Sequence, residues 1–485
     1  MLELATNLVL GGLGFLAVIT LVVFVHELGH FSAGRLFGVK IESFSIGFGR
    51  ELVGFTDRHG TRWKIGWLPL GGFVKFWGDE GVSSVPDHEK LQRISEAEKA
   101  GSFHHKPLYQ KAIVSVAGPA ANFALAIVIL TGLLLAYGDR LDTPVIGTVQ
   151  KGFPAERAGL RAGDVVVRID ETPIRSFSDI VQIVTVSDRS PLRFRVRRGS
   201  VMQDITVVPT MISKPDSFGD PIQDPGIGIK ALLPGEIETV SPNTAAAAAG
   251  LKPNDVIVAV NDKGFESSLE LAQAIQDTKA GKVALMVLRP NPLPKKSWNG
   301  DIVKMDLIPA VLPGPISDAD AALLESAGFA VKAKGSPNLF VQVNYGLFDA
   351  VARAAHDTKF IVVKTFYFIG QLLTGRGDYQ QLSGPLGIAT VSAKVTVQFG
   401  LIPLINLAAV LSVSIGLLNL FPIPMLDGGH ILYYGIEAVR GRPLGEWAQE
   451  LGFRIGLALV LSLLLFATWN DLTKLGLFGF LGFHS

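Results

Sequence analysis

His26, Glu27 and His30 fall in the run His26-Glu27-Leu28-Gly29-His30, and their spacing is the strongest chemical signal in the chain. Residues four apart on a helix share one face, so both imidazoles can reach a single metal ion. A glutamate beside them is placed to act as general base on water at that ion. The plainer alternative is two interfacial histidines and a solvated glutamate at a helix end. The run, however, continues Ala5–Val25, 21 residues without a charge. Three ionisable groups at the end of an apolar span are costly in lipid unless they serve a function or find partners. A catalytic zinc needs a third protein ligand and an open position. The chain has no cysteine, so that ligand must be His, Asp or Glu. Asp427 stands out, because it closes the uncharged run Val395–Leu426, 32 residues long. It lies in Asn419-Leu420-Phe421-Pro422-Ile423-Pro424-Met425-Leu426-Asp427-Gly428-Gly429-His430, where two prolines and two glycines break the helix and could aim the carboxylate inward. A helix-capping aspartate at a membrane exit is the alternative.

The elements that must carry these groups are apolar runs. Of 485 residues, 48% are hydrophobic and only 18% charged, which disfavours a disordered chain and an ordinary soluble enzyme. The net charge of +1 offers no electrostatic case for nucleic acid. About 20 apolar residues cross a bilayer as a helix. Ala5–Val25, Ala112–Gly138 and Val395–Leu426 meet that length, while Ile455–Asn470 needs Leu451–Phe453 to complete a span. Phe360–Thr374 carries Lys364 and reads as an amphipathic or interfacial helix. The segment Phe31–Lys111 holds 12 Lys and Arg, which places it in the cytoplasm and both termini outside. His26 and Asp427 then fall at similar depth, near the cytoplasmic ends of spans running the same way.

The 256 residues Asp139–Lys394 lie outside on this reading, and they contain a repeat. Ala158-Gly159-Leu160-Arg161-Ala162-Gly163-Asp164-Val165-Val166-Val167 recurs 91 residues later as Ala249-Gly250-Leu251-Lys252-Pro253-Asn254-Asp255-Val256-Ile257-Val258. Each copy is followed by a turn, a polar helix-like stretch and a β-rich run. The pattern resembles PDZ modules of the bacterial periplasmic type. Lys214–Gly235 reads as the linker between them, with Gly226, Ile227, Gly228 and Ile229 as the second module's peptide-binding groove strand. Such modules bind peptides, C-termini included, by strand addition, and a side-by-side pair could equally form a rigid gate.

The histidine motif on the first span, Asn-x-x-Pro-x-Pro-x-Leu-Asp-Gly on a later one and the paired modules between them resemble the site-2 protease family of intramembrane zinc metalloproteases, over essentially the whole chain. The resemblance implies one Zn2+ per chain held by His26, His30 and Asp427, with Glu27 as catalytic acid/base. It implies substrate contacts from Asn419, Pro422 and Pro424, and from Asn122 in Gly118-Pro119-Ala120-Ala121-Asn122. There a Gly/Pro kink with an interhelical hydrogen bond is an equal alternative. Gly71, Gly72 and Phe73 lie in a run that resembles the family's re-entrant β-loop, whose edge pairs with substrate; an interfacial hairpin without substrate contact is the alternative. Substrates on this basis are single-span membrane proteins trimmed beforehand on their outer side, such as an anti-sigma factor, and remnant signal peptides.

The expected fold is a polytopic α-helical membrane protein of about four transmembrane helices in the bacterial inner membrane, with a tandem PDZ (β-rich α+β) periplasmic insertion. Its segments are 1–30, first span with the histidine motif; 31–111, cytoplasmic loop with the hairpin; 112–138, second span; 139–213, first PDZ module; 214–235, linker; 236–310, second PDZ module. There follow 311–394, a juxtamembrane region with the amphipathic helix; 395–430, third span; 431–450, cytoplasmic segment; 451–470, fourth span; and 471–485, tail. Two rival classes remain: a catalytically silent PDZ scaffold, which leaves His26, Glu27, His30 and Asp427 without a reason, and a zinc transporter.

Overall fold

A computed structural model of the chain describes residues 2–79, 95–215, 221–232, 236–265, 268–276, 283–290, 300–307, 329–331, 340–375, 377, 379 and 382–474. It divides into two compact units, residues 1–136 with 346–485, and residues 137–345.

The first unit is helical. Helix α1 (Leu2–Leu36) leads into two antiparallel strands, β1 (Ile41–Thr56) and β2 (Arg62–Phe76), and then helix α2 (Leu108–Tyr137). After the insertion come α3 (Leu347–Leu373), α4 (Pro385–Phe399), α5 (Leu401–Asn419), α6 (Asp427–Arg440) and α7 (Glu446–Lys474). Among the described residues, Gly11–Leu36, Leu108–Tyr137, Leu401–Asn419 and Trp447–Lys474 are long and apolar enough to cross a membrane.

In lipid, helices associate through close packing rather than through expulsion of water, so small residues mark their seams. Gly14 of α1 lies against Thr396 of α4 and Leu404 of α5, where an added Cβ would come within 2.8 Å and 3.3 Å of side-chain atoms. Val18 and Val22 continue that seam against Leu404 and Ala408.

The expected third span proves to be two helices. Gly400, at φ 85° and ψ −162°, holds a conformation that only glycine adopts readily, and it separates α4 from α5. The chain breaks again after Asn419, and the expected cytoplasmic segment 431–450 continues instead as α6 and the start of α7. The interfacial stretch Phe360–Thr374 is the second half of the 27-residue α3. Gly384, the N-cap of α4, and Gly387, in its first turn, donate backbone N–H bonds of 3.0 and 2.8 Å to Asp471 of α7, which caps α4 from a distant helix.

The expected hairpin is richer than a simple pair. Ile41–Ile46 lies between Arg62–Ile65 on one side and Gly72–Phe76 on the other, and Val53–Thr56 pairs with the far side of Arg62–Ile65. Two strands thus curl into four antiparallel segments with Gly72–Phe76 at an edge. Phe44 and Trp63 stack in its middle, with ring centroids 4.4 Å apart.

The second unit contains two matching β-rich modules. Strands Ile146–Val149, Val165–Ile169 and Leu192–Arg198 recur as Ile237–Val240, Val256–Val260 and Val283–Pro290, at the same 91-residue offset as the sequence repeat. The repeated aspartates have a structural role. Asp164 and Asp255 are buried, and each is held by a guanidinium, Arg198 or Arg289, through bonds of 2.7–2.8 Å. The same arginines bond the carbonyls of Gly159 and Gly250 at 2.8 Å. Hydrogen bonding to the carboxylates raises both guanidiniums above their ordinary pKa.

Lys214–Gly235 is not a linker in this arrangement. Ile229–Ala231 pairs antiparallel with Ile146–Val149, and Ile227 is buried in the core around Ile146, Phe194 and Val196. Gly226, Ile227, Gly228 and Ile229 therefore belong to the first module rather than the second. The second module's corresponding strand is Phe329–Val331, which pairs with Ile237–Val240. Each module ends with the strand that completes it, and local sequence reading assigned that strand to the wrong neighbour.

The modules share a further apolar cluster, with Val145, Val165 and Leu232 of the first against Val256, Met286 and Leu288 of the second. Fully burying one such side chain is worth roughly 1.5–3 kcal/mol, so separating the modules is costly.

Candidate metal centre and active site

His26 and His30 lie one turn apart in the C-terminal half of α1. Asp427 reaches them from the first turn of α6, and the route depends on two glycines. An added Cβ at Gly429 would come within 2.7 Å of Ile423 and Pro424 backbone atoms, and one at Gly428 would overlap the carbonyls of Leu420 and Phe421. Only with both positions bare can α6 start directly on the preceding turn. Met425, at φ 92°, completes the reversal. Leu426, not Asp427, is the helix N-cap, so the capping alternative does not describe this residue.

The Nε2 atoms of His26 and His30 are 3.2 Å apart. Asp427 places Oδ2 3.2 Å from His26 Nε2 and Oδ1 3.4 Å from His30 Nε2. Donors bound tetrahedrally to one ion at about 2.0–2.1 Å stand about 3.3 Å apart, and the two imidazole nitrogens, each with one oxygen of the carboxylate, lie at about that separation. Oδ2 is also buried without a hydrogen-bond partner, a costly state that a bound cation would relieve. Imidazole and carboxylate donors suit zinc, among other divalent metals. The residues present fit such a group.

Helix α2 backs both imidazoles. His30 Nδ1 donates to the carbonyl of Val114 at 2.8 Å, and Asn122 has its carboxamide 3.2 Å from His26 Nδ1. Gly118, midway between them, accommodates the His30 ring. A Cβ there would come within 2.6 Å of Cε1 and 2.8 Å of Cδ2, and closer still to Nε2.

A cavity of about 270 Å³ opens on this group and is lined by His26, Glu27, His30 and Asp427. Val74 of β2 lines the cavity beside Glu27. Gly71, Gly72, Phe73 and Asn419 also line the cavity, and the Asn419 carboxamide is 3.4 Å from His26 Nε2. Asn122 is fully buried behind His26, so it faces the imidazole rather than an open channel. Pro422 and Pro424 do not line the cavity; Pro424 packs on Gly452 and Gly456 of α7. Gly226–Ile229 lie in the other compact unit.

Sequence reasoning overlooked His430, Tyr434, Met425 and Val114, which also line the cavity. His430 and Tyr434 are three and seven residues beyond Asp427, the spacing of one helix face, and that signal was available. Val114 acts through its carbonyl, which no side-chain pattern announces.

The profile of peptidase family M50 matches residues 14–463. A protein of Agrobacterium fabrum named as a zinc metalloprotease is 34% identical over 461 residues, covering 95% of this chain and 95% of its own. The metalloprotease MmpA of Caulobacter vibrioides is 32% identical, covering 96% of each chain. The protease RseP of Yersinia pestis is 32% identical, covering 95% of this chain and 98% of its own.

Proposed function

This chain belongs to peptidase family M50 and is a metalloprotease, and from that premise we propose that it is a zinc endopeptidase cutting within the transmembrane segments of single-span proteins. The observation that supports this most directly is the meeting of His26, His30, Asp427 and Glu27 in one cavity, with both histidines and the glutamate on a helix long and apolar enough to cross a membrane.

Zinc bound by His26, His30 and Asp427 would supply Lewis acidity toward a peptide carbonyl and an attacking water. Glu27 takes the proton of that water and delivers it to the departing amine nitrogen. Asn419 both donates and accepts, which suits it to a substrate backbone beside His26. A helix hides its scissile carbonyl, so the substrate segment must unwind. Pairing with the edge Gly72–Phe76 offsets part of that cost. Four apolar residues of this sheet, Leu52, Val53, Phe55 and Trp67, are 61–68% exposed and suit a lipid environment.

The protein resides, on this reading, in the bacterial inner membrane, with residues 31–111 cytoplasmic and the tandem modules periplasmic. The modules are PDZ-type, and packed against each other they select substrates already trimmed on the outer side. An anti-sigma factor and remnant signal peptides are the substrates this implies.

The test is cleavage of a trimmed single-span substrate in detergent by the wild type and by Glu27→Gln, with zinc measured in both. Loss of 10²–10⁴-fold in rate with zinc retained is expected for removal of a general base. Full activity of Glu27→Gln would sink the assignment of Glu27, and a well-folded wild type without metal would sink the zinc site.

A further inference from the structure

Both imidazoles of the proposed metal site need a defined tautomer, with Nε2 free as a ligand and the proton on Nδ1. For His30 this is settled by its partner. A carbonyl can only accept, so the 2.8 Å contact with Val114 O requires a proton on Nδ1 and leaves Nε2 unprotonated.

His26 has no carbonyl at Nδ1. Its neighbour there is the carboxamide of Asn122, 3.2 Å away and fully buried. The two ends of a carboxamide have the same outline, so either the nitrogen or the oxygen can face the ring. With the nitrogen facing it, Nδ1 must accept and the proton moves to Nε2. That proton would then sit among Asp427 Oδ2 and His30 Nε2, both 3.2 Å from His26 Nε2, in the space the metal would occupy. With the oxygen facing it, Nδ1–H donates to Oδ1 and Nε2 is free.

We propose that Asn122 is a positioning residue that accepts the His26 Nδ1–H through Oδ1 and so fixes the tautomer that binds metal. Resting on the zinc-site reading, this gives Gly118-Pro119-Ala120-Ala121-Asn122 a single purpose. Val114, Gly118 and Asn122 succeed one another at intervals of four along α2 and so share a face. The first holds His30 by its carbonyl, the second makes room for the His30 ring, and the third orients His26. Asn122 is also anchored itself, because Ser412 of α5 donates to its backbone carbonyl at 2.8 Å.

The distinguishing variant is Asn122→Asp, which can accept but no longer donate. Zinc affinity of the full-length protein in detergent, by competition with a chelator, is compared for wild type, Asn122→Asp, Asn122→Ala and Asn122→Leu. The last two are expected to bind zinc 10–100-fold more weakly, as for other outer partners of metal-bound histidines, with Asn122→Asp close to wild type. Equal losses in all three variants would overturn the accepting role, and wild-type affinity in Asn122→Ala would overturn any positioning role. A role in substrate contact would instead raise KM at unchanged zinc affinity. Should the variants misfold, 15N shifts of the His26 ring in the wild-type protein report the protonated nitrogen directly, and a proton on Nε2 in the zinc-free protein refutes the proposal. Failure of the wild type to bind zinc would overturn the zinc-site reading together with this one, an outcome distinct from all of these.

Discussion

Replacing Gly118 with alanine places a methyl group inside the space of the His30 imidazole. The new Cβ would come within 2.6 Å of Cε1 and 2.8 Å of Cδ2, whereas ordinary contact begins at 3.4 Å. Its ring must therefore retreat by about 0.8 Å or more, several times the ±0.2 Å that metal-ligand distances tolerate. It cannot pivot freely, because Nδ1 is tied to the Val114 carbonyl on the same helix. Displacement on this scale costs roughly 10²-fold in rate, and zinc affinity should fall by roughly 10–100-fold. Helix propensity works in the opposite direction, since Ala is favoured over Gly in a helix by about 1 kcal/mol. The expected signature is thus weaker zinc binding and slower cleavage without loss of thermal stability in the zinc-free protein. Gly132→Ala is the matched control on the same helix, because its Cβ would meet nothing within 4 Å. Chelator competition and cleavage rate, read for both variants, are the assays. Wild-type zinc affinity and activity in Gly118→Ala would refute the close packing of α2 on His30, and with it the account of the surrounding motif.

Arg289→Ala should leave Asp255, only 1% exposed, without its counter-charge, and unpairing a buried ion in this way costs about 3–5 kcal/mol. Limited proteolysis of the full chain should then cut the second module far faster than in the wild type, and unchanged resistance would show that the pair is dispensable. Asp471→Ala removes the acceptor for the Gly384 and Gly387 N–H groups and should destabilise the protein by about 1–2 kcal/mol, read as a lowered unfolding temperature in detergent. Unchanged unfolding would mean that water or another group caps α4 equally well.

Much of the candidate site was legible because its rules are local. His26 and His30 share a face wherever the chain is helical, since the helix repeat does not depend on the rest of the fold. The apolar runs that carry them could be counted, and the 91-residue repeat appears in strand boundaries at the same offset. Pairing of distant segments was not legible. The strand Ile229–Ala231 joins Ile146–Val149 across more than 80 residues, and neither partner's composition says which module it completes. Gly400 looks like any glycine in an apolar run, so the division of α4 from α5 was hidden in one torsion angle.

The sequence by itself determined that two imidazoles and a carboxylate base would stand on one helix face at the end of an apolar span. It also determined that any third ligand had to be imidazole or carboxylate, since the chain lacks thiols. Tertiary structure alone decided how Asp427 comes within 3.2–3.4 Å of those imidazoles, through a reversal that only Gly428 and Gly429 can accommodate. It also set the buried Asn122 carboxamide 3.2 Å from His26 Nδ1. The physical reason is that hydrogen bonds and steric contacts between helices depend on which faces meet and how closely, and no single helix encodes its neighbour's approach.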